Sequence, residues 1–292
     1  MMSGMPPAAR KKRARRVAFV LGGGGHNGAA EVGMLRALLE HEITPELIVG
    51  TSVGALNGAA VAFSPTLESV ARLRDVWLTL DDDRIFGGSI FAGAANLVRS
   101  RTHMHSNRPL RELLERLLPA SRFEDLAVPF QCVAASIERA SEHWFAEGPL
   151  VQAILASAAV PAVLPPVRID GEHFVDGGIV NSIPISRAVE LGATEIYVLQ
   201  VGRVESPLTP PKTPLQVGLV AFEIARRHRF ARDLATLPAD VTAHVLPTGE
   251  PKAPRLTQLN YRDFRAISRR IDRAHRASVT YLNGARGPRT SA

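Results

Sequence analysis

Three short stretches carry residue types able to do covalent chemistry. The first is Gly50-Thr51-Ser52-Val53-Gly54, which follows the apolar run Leu47-Ile48-Val49 and leads into Ala55-Leu56-Asn57-Gly58-Ala59-Ala60-Val61-Ala62. That order reads as a short buried strand, a sharp turn and a buried helix. A serine in such a turn is held in a strained conformation with its hydroxyl at the carboxyl edge of a sheet, and flanking glycines keep side chains clear of it. It is a candidate nucleophile elbow, although a glycine-rich turn with a solvated serine has the same pattern. The second stretch is Gly22-Gly23-Gly24-Gly25-His26-Asn27-Gly28. Glycine N–H groups at a helix N-terminus form a pocket for negative charge, either a pyrophosphate or a developing oxyanion. Gly23, Gly25 and Gly28 meet the G-x-G-x-x-G spacing of a dinucleotide site, but the second strand ends in Gly50-Thr51-Ser52 where such a site has an acid. No Gly-Lys-Ser/Thr follows, so a P-loop is excluded. The third stretch is Glu172-His173-Phe174-Val175-Asp176-Gly177-Gly178, an aspartate ending a short strand with two glycines leaving room around it. A tight Asp-Gly turn looks the same.

The elements that must position these residues alternate strand and helix. Val17 to Leu21 reads as the first strand, and Ala29 to Glu40 as a helix with Val32, Leu35, Leu38 and Leu39 on its apolar side. Leu67 to Leu80 and Arg108 to Leu118 follow as helices, the latter with Asn107 as the expected N-cap and Pro109 in its first turn. Pro129 to Ile137 and Glu142 to Phe145 are expected strands, and Pro149 to Ala158 a buried helix. Prolines 161, 165 and 166 make Val160 to Val167 an extended connector to the third stretch. A helix from Pro184 to Leu191 and a strand from Glu195 to Val201 come next. Gly202 to Pro214 is proline-rich and reads as a loop or boundary. Leu215 to Leu237 and Tyr261 to Leu282 read as helices around a strand from Val241 to Leu246, the last placing Phe264, Ile267 and Ile271 on one stripe. Asp81-Asp82-Asp83 reads as a solvated loop, and Ile85 to His105, which has no clear period, as a lid or interfacial surface. There is no repeat at solenoid spacing.

A chain of 292 residues, 46% hydrophobic and 22% charged, is long enough for a sizeable core. Its single cysteine, Cys132, excludes an intramolecular disulfide and any multi-cysteine metal site and reads as a core residue. Much of the net charge of +7 comes from Arg10-Lys11-Lys12-Arg13-Ala14-Arg15-Arg16. Such a run reads either as a solvated tail or as a patch for an anionic lipid surface, where each basic residue contributes roughly 1 kcal/mol before screening. Nucleic-acid reading is not expected, because no aromatic interleaving or reader motif accompanies the charge. Neither a secretory signal nor a transmembrane helix is expected, since Val17 to Leu21 is too short and Leu150 to Val167 is broken by prolines.

Taken together, Leu21 to Gly28, Gly50 to Gly54, Asp176-Gly177-Gly178 and the preceding Ala156-Ser157-Ala158-Ala159-Val160-Pro161 resemble the patatin-like phospholipase family in order and spacing, over about Val17 to Gly202. The resemblance implies a three-layer α/β/α sheet, a modified α/β-hydrolase-like fold, here with a helical C-terminal extension. It implies a 1–16 basic tail, a 17–202 catalytic domain and a 203–292 extension packed on that domain. It also implies a lipid acyl hydrolase in which Ser52 is the nucleophile and Asp176 the base. Gly23, Gly24, Gly25 and Val53 would supply oxyanion donors, supported by Gly22, Asn27, Gly28, Gly50, Gly54, Gly177 and Gly178. No metal or cofactor is expected, and the implied partner is a lipid or acyl ester; the lone cysteine and the basic run, rather than the resemblance, point to a cytoplasmic location with peripheral contact to an anionic membrane. One departure stands out: the family usually has Arg or Lys where this chain has Asn27. A Ser-Asp-His triad using His228, His244 or His275 remains an alternative order, as does a lipid-surface binding protein without turnover. His26, inside the glycine loop, is a candidate substrate contact.

Overall fold

The computed structural model describes residues 14–79, 105–161, 163–201, 207–250 and 267–286. The three consecutive aspartates, the suggested lid up to position 104, the tail up to position 13, residues 202–206 and Phe264 lie outside the described residues.

The chain alternates as expected. Strand β1 (Val17–Leu21) leads through the glycine loop into α1 (Ala29–Glu40), and β2 (Leu47–Thr51) leads through Ser52 into α2 (Val53–Phe63). Helices α3 (Leu67–Thr79) and α4 (Arg108–Leu117) precede β3 (Phe130–Ser136), β4 (Ser141–Phe145) and α5 (Leu150–Ser157). Then come β5 (Val167–Ile169), β6 (Glu172–Asp176), the single turn α6 (Gly178–Asn181), α7 (Ile185–Glu190) and β7 (Glu195–Leu199). The described chain closes with α8 (Pro214–Ala235), β8 (Thr242–Val245) and α9 (Ile267–Arg286). One local expectation is corrected. The end of the proline connector forms β5, because Val167 to Ile169 finds an antiparallel partner in β6. Asn107 stands at the expected N-cap but makes no side-chain capping bond, and Ser106 Oγ accepts from the Arg108 N–H at 3.2 Å.

The strands form one sheet in the order β5-β6-β3-β2-β1-β7-β8, with β4 paired to β3. Its centre, β3-β2-β1-β7-β8, is parallel, as buried βα units require, and the β4, β5 and β6 pairings are antiparallel. Every residue of β1 is buried because helices cover both faces. Phe19 and Leu21 pack with α1 and α2, whereas Ala18 and Val20 pack with Ile185 and Ala188 of α7 and Phe230 of α8. The period of two thus divides one strand between two cores, giving three layers. Cys132 is wholly buried, and burial pushes its thiol up.

The C-terminal elements complete these layers. β8 extends the sheet beside β7, and α9 lies along α1 with Ile267, Ile271, Ala274 and Leu282 buried. Gly33 permits that approach: a Cβ there would lie 2.2 Å from the Ile271 carbonyl oxygen. At the other end, Arg15 pairs with Glu195, and the Arg16 guanidinium donates to Leu191 O at 2.5 Å. These two arginines, expected in the tail, are therefore tied to the start of β7 and contribute less to any exposed basic patch.

Candidate active site

Register on β3 brings two distant strand ends together. β2 pairs with β3 through Thr51 opposite Val133, and β6 pairs with the next residues through Asp176 opposite Ala134. Since β4 occupies the other edge of β3 along Cys132 to Ser136, β2 and β6 must share one edge. β2 runs out at the elbow where β6, arriving antiparallel, ends. Ser52 and Asp176 are left facing each other at the carboxyl edge of the sheet.

Ser52 has φ 55° and ψ −121°, a conformation that costs a non-glycine residue on the order of 1–3 kcal/mol unless its surroundings impose it. Those surroundings are backbone. A Cβ on Gly50 would lie 2.5 Å from Gly54 O, and one on Gly54 would lie 2.4 Å from Leu21 O, so both glycines let α2 start hard against the ends of β1 and β2. The Ser52 carbonyl accepts from the Ala55 N–H at 2.9 Å, and its N–H donates to Ser157 Oγ at 2.9 Å. Thr51 Oγ1 donates to Asn181 O at 2.8 Å, tying the elbow to α6.

The Ser52 hydroxyl donates to Asp176 Oδ2 at 2.6 Å, and the Gly178 N–H donates to Asp176 Oδ1 at 2.7 Å. Both side chains are buried. Burial pushes the Asp176 carboxyl up to about 6, against the opposing pull of the Ser52 hydroxyl and the Gly178 amide. A carboxylate of that strength accepts a proton at neutral pH, within reach of a hydroxyl that would otherwise hold it. The Asp176 strand end is fixed by two further bonds, Asp176 N–H to Ala159 O at 2.9 Å and Gly177 N–H to Ser157 O at 3.1 Å. Ser157 therefore holds both halves of the pair, its hydroxyl on one and its carbonyl on the other. Gly177 has no room for a side chain, since a Cβ would lie 2.1 Å from Val133 O.

The glycine loop lies alongside. A Cβ on Gly23 would lie 3.4 Å from the Ser52 Cβ, and one on Gly28 would lie 2.4 Å from Val53 Cγ2. The Gly22 N–H bonds Leu199 O, and the Gly23 N–H bonds Ser182 O at 2.9 Å. That departs from the expectation for Gly23, whose only N–H is engaged in anchoring the loop. Gly24 and Gly25, the more exposed part of the loop, have no backbone acceptor for their N–H groups among the described residues, nor does Val53 at the first position of α2. Asn27 is half-buried and closes the turn through its N–H to Gly24 O at 3.2 Å. A guanidinium does lie against this loop: Arg270 of α9 donates to the His26 carbonyl at 3.4 Å. The His26 ring is buried.

The three distal histidines sit elsewhere in the fold. His275 Nε2 meets Glu40 Oε2 at 2.6 Å, His244 stacks on Tyr197 at 4.8 Å between ring centroids, and His228 is exposed on α8. Ser157, Asn181 and Ser182 were not singled out as supports of the site. Their signal lay in the Ala156 to Pro161 block and in the residues just after Gly178. Among the described residues there is no group of histidine, cysteine, aspartate and glutamate that could hold a metal, and no helix long and apolar enough to cross a membrane.

A family model described as patatin-like phospholipase matches residues 19–189. A patatin-like phospholipase domain-containing protein of Caenorhabditis elegans is 32% identical over 207 residues, covering 68% of this chain and 14% of its own length. A lysophospholipase of Aspergillus terreus is 28% identical over 200 residues, covering 68% of this chain and 12% of its own length. The chain thus spans less than a fifth of the length of these curated relatives. Among solved structures, VipD from Legionella pneumophila aligns with a TM-score of 0.48 at 14% identity, over 92% of this chain and 67% of that one.

Proposed function

The chain belongs to the patatin-like phospholipase family, and from that premise we propose that it is a serine acyl-ester hydrolase acting on lipids, of phospholipase A or lysophospholipase type. The observation that carries this reading is the 2.6 Å hydrogen bond from Ser52 Oγ to Asp176 Oδ2, made at a strained elbow beside the loop amides of Gly24 and Gly25, which have no backbone acceptor among the described residues. The Aspergillus relative named a lysophospholipase supports the substrate class.

In this reading Asp176 Oδ2 takes the Ser52 proton as Oγ bonds to the ester carbonyl carbon, and the π electrons move to the carbonyl oxygen. The N–H groups of Gly24 and Gly25, with that of Val53, hold the oxyanion. Collapse breaks the bond to the alcohol oxygen, which leaves with the proton from Asp176. Asp176 then deprotonates a water that attacks the acyl-enzyme, and a second collapse frees the carboxylic acid and restores Ser52. The direct serine-to-carboxylate bond favours the dyad over a triad, since no imidazole stands between the two groups among the described residues.

Reaction with a fluorophosphonate probe tests the proposal, comparing the parent with Ser52→Ala and Asp176→Asn, followed by turnover of an acyl-ester chain-length series. Labelling lost in Ser52→Ala and sharply slowed in Asp176→Asn is the expected result. A folded parent that neither labels nor turns over any ester would overturn it and leave a lipid-surface binding role.

A further inference from the structure

Beneath the glycine loop lies a wholly buried polar group that the proposed chemistry does not use. Glu31, in the first turn of α1, and Asn57, in the middle of α2, are both fully buried. The Asn57 Nδ2 group donates to Glu31 Oε2 at 2.8 Å and to the Gly28 carbonyl at 3.0 Å. Asn57 Oδ1 in turn accepts from Trp77 Nε1 of α3 at 2.9 Å. Every polar atom of the Asn57 amide is thereby assigned, and its orientation is set by partners from two other helices, Gly28 and Glu31 at the start of α1 and Trp77 of α3. Gly28 is the residue at which the loop becomes α1, and its Cα faces Val53, the first residue after Ser52. A shift of Asn57 is thus passed to the loop and to the elbow together.

We infer that Glu31 is a positioning residue: by fixing Asn57 it holds the Gly28 end of the glycine loop in register with Ser52, and it acts on turnover rather than on substrate binding. Glu31 makes no contact with Ser52 or Asp176, so its effect passes through Asn57. Burial pushes its carboxyl well above the usual range, opposed by the Asn57 amide and the Gly22 backbone. The α1 N-terminus favours an anion, but that effect is small beside the loss of hydration in a closed interior. Glu31 serves here as a hydrogen-bond acceptor for the Asn57 amide. Its Oε1 has no hydrogen-bond partner among the described residues. A side chain meant only to fill this space would do better without the oxygens.

This inference rests on the hydrolase reading, and the test separates the two. Full-length Glu31→Gln, Glu31→Met and Trp77→Phe are compared with the parent for fold by circular dichroism, for kcat and KM on a soluble acyl ester, and for the rate of fluorophosphonate labelling. Glutamine can still accept from Asn57, so Glu31→Gln is expected to keep kcat within about threefold of the parent. Glu31→Met is expected to keep KM within about threefold while kcat and labelling rate fall together by tenfold or more, on the order of 1.4 kcal/mol per decade. Trp77→Phe, which frees Asn57 Oδ1 while keeping an aromatic ring, is expected to lower kcat by about threefold at unchanged KM. It decides the matter should Glu31→Met fail to fold. Parent-like kcat in a folded Glu31→Met, or in Trp77→Phe when the methionine variant does not fold, would overturn the inference while leaving the hydrolase reading intact. Absence of labelling in the parent would overturn both.

Discussion

At neutral pH an Asp176 carboxyl pushed up to about 6 is mostly ionised, and two pH dependences are expected from it. If Asp176 is the base, kcat/KM rises about tenfold per pH unit below 6 and levels off above it, measured on a neutral acyl ester. The sign for stability is opposite. The folded state holds this proton more tightly than an unfolded chain with a value near 3.8, so the contribution is fully present below 3.8 and is lost as pH rises through about 6. The loss is about 3 kcal/mol at most. Asp176→Asn should therefore be more stable than the parent at pH 8 and equal to it near pH 3.5. Urea unfolding at both pH values checks this, and equal midpoints at pH 8 would count against a strained carboxyl. Gly24 is the second sensitive residue, because a Cβ there would lie 2.2 Å from Val201 Cγ2 and displace the loop. Gly24→Ala is expected to lower kcat by roughly 10²–10³ with the fold retained. Unchanged turnover would remove this loop from the oxyanion role.

At the scale of elements, the site depends on close approaches that glycine permits. The packing of α1 on α9 is the clearest, since Gly33 meets the backbone of Ile271 rather than a side chain able to move aside. Gly33→Val should force the helices apart and destabilise the fold by about 1–3 kcal/mol or more, read as a lowered melting temperature. Because Arg270 ties α9 to the His26 carbonyl, part of that shift should appear as lower kcat as well. The elements themselves were largely legible. β1, α1 and β6 were expected close to where they stand because their apolar periods are clean and their ends are marked by glycines. β5 was missed because Val167 to Ile169 becomes a strand only through its pairing with β6. Asn107 stands at the N-cap as expected but makes no side-chain bond, because the second helical position is Pro109, which has no N–H to donate.

Across the whole molecule, hydrogen-bonding and aromatic contacts of the distal histidines join elements other than those that carry Ser52 and Asp176. His275 links α9 to Glu40 at the end of α1, and His244 stacks on β7 beneath Tyr281. Replacing His228, His244 or His275 by Asn should leave kcat within about twofold of the parent, with a stability change of about 1 kcal/mol or less where the His275–Glu40 hydrogen bond is lost. Loss of most activity in any one of them would restore the triad. The sequence by itself determined the alternation of strands and helices and the places where glycine must stand, and it offered Ser52 and Asp176 as candidates whose roles the family resemblance supplied. It did so because period and turn chemistry are local. Only the tertiary structure showed how Ser52 and Asp176, 124 residues apart, are brought within hydrogen-bond distance, that Ser157 holds both, and that the Gly23 N–H is spent on anchoring the loop. Those facts follow from two strands sharing one edge of β3, and no local pattern names the edge on which a strand will pair.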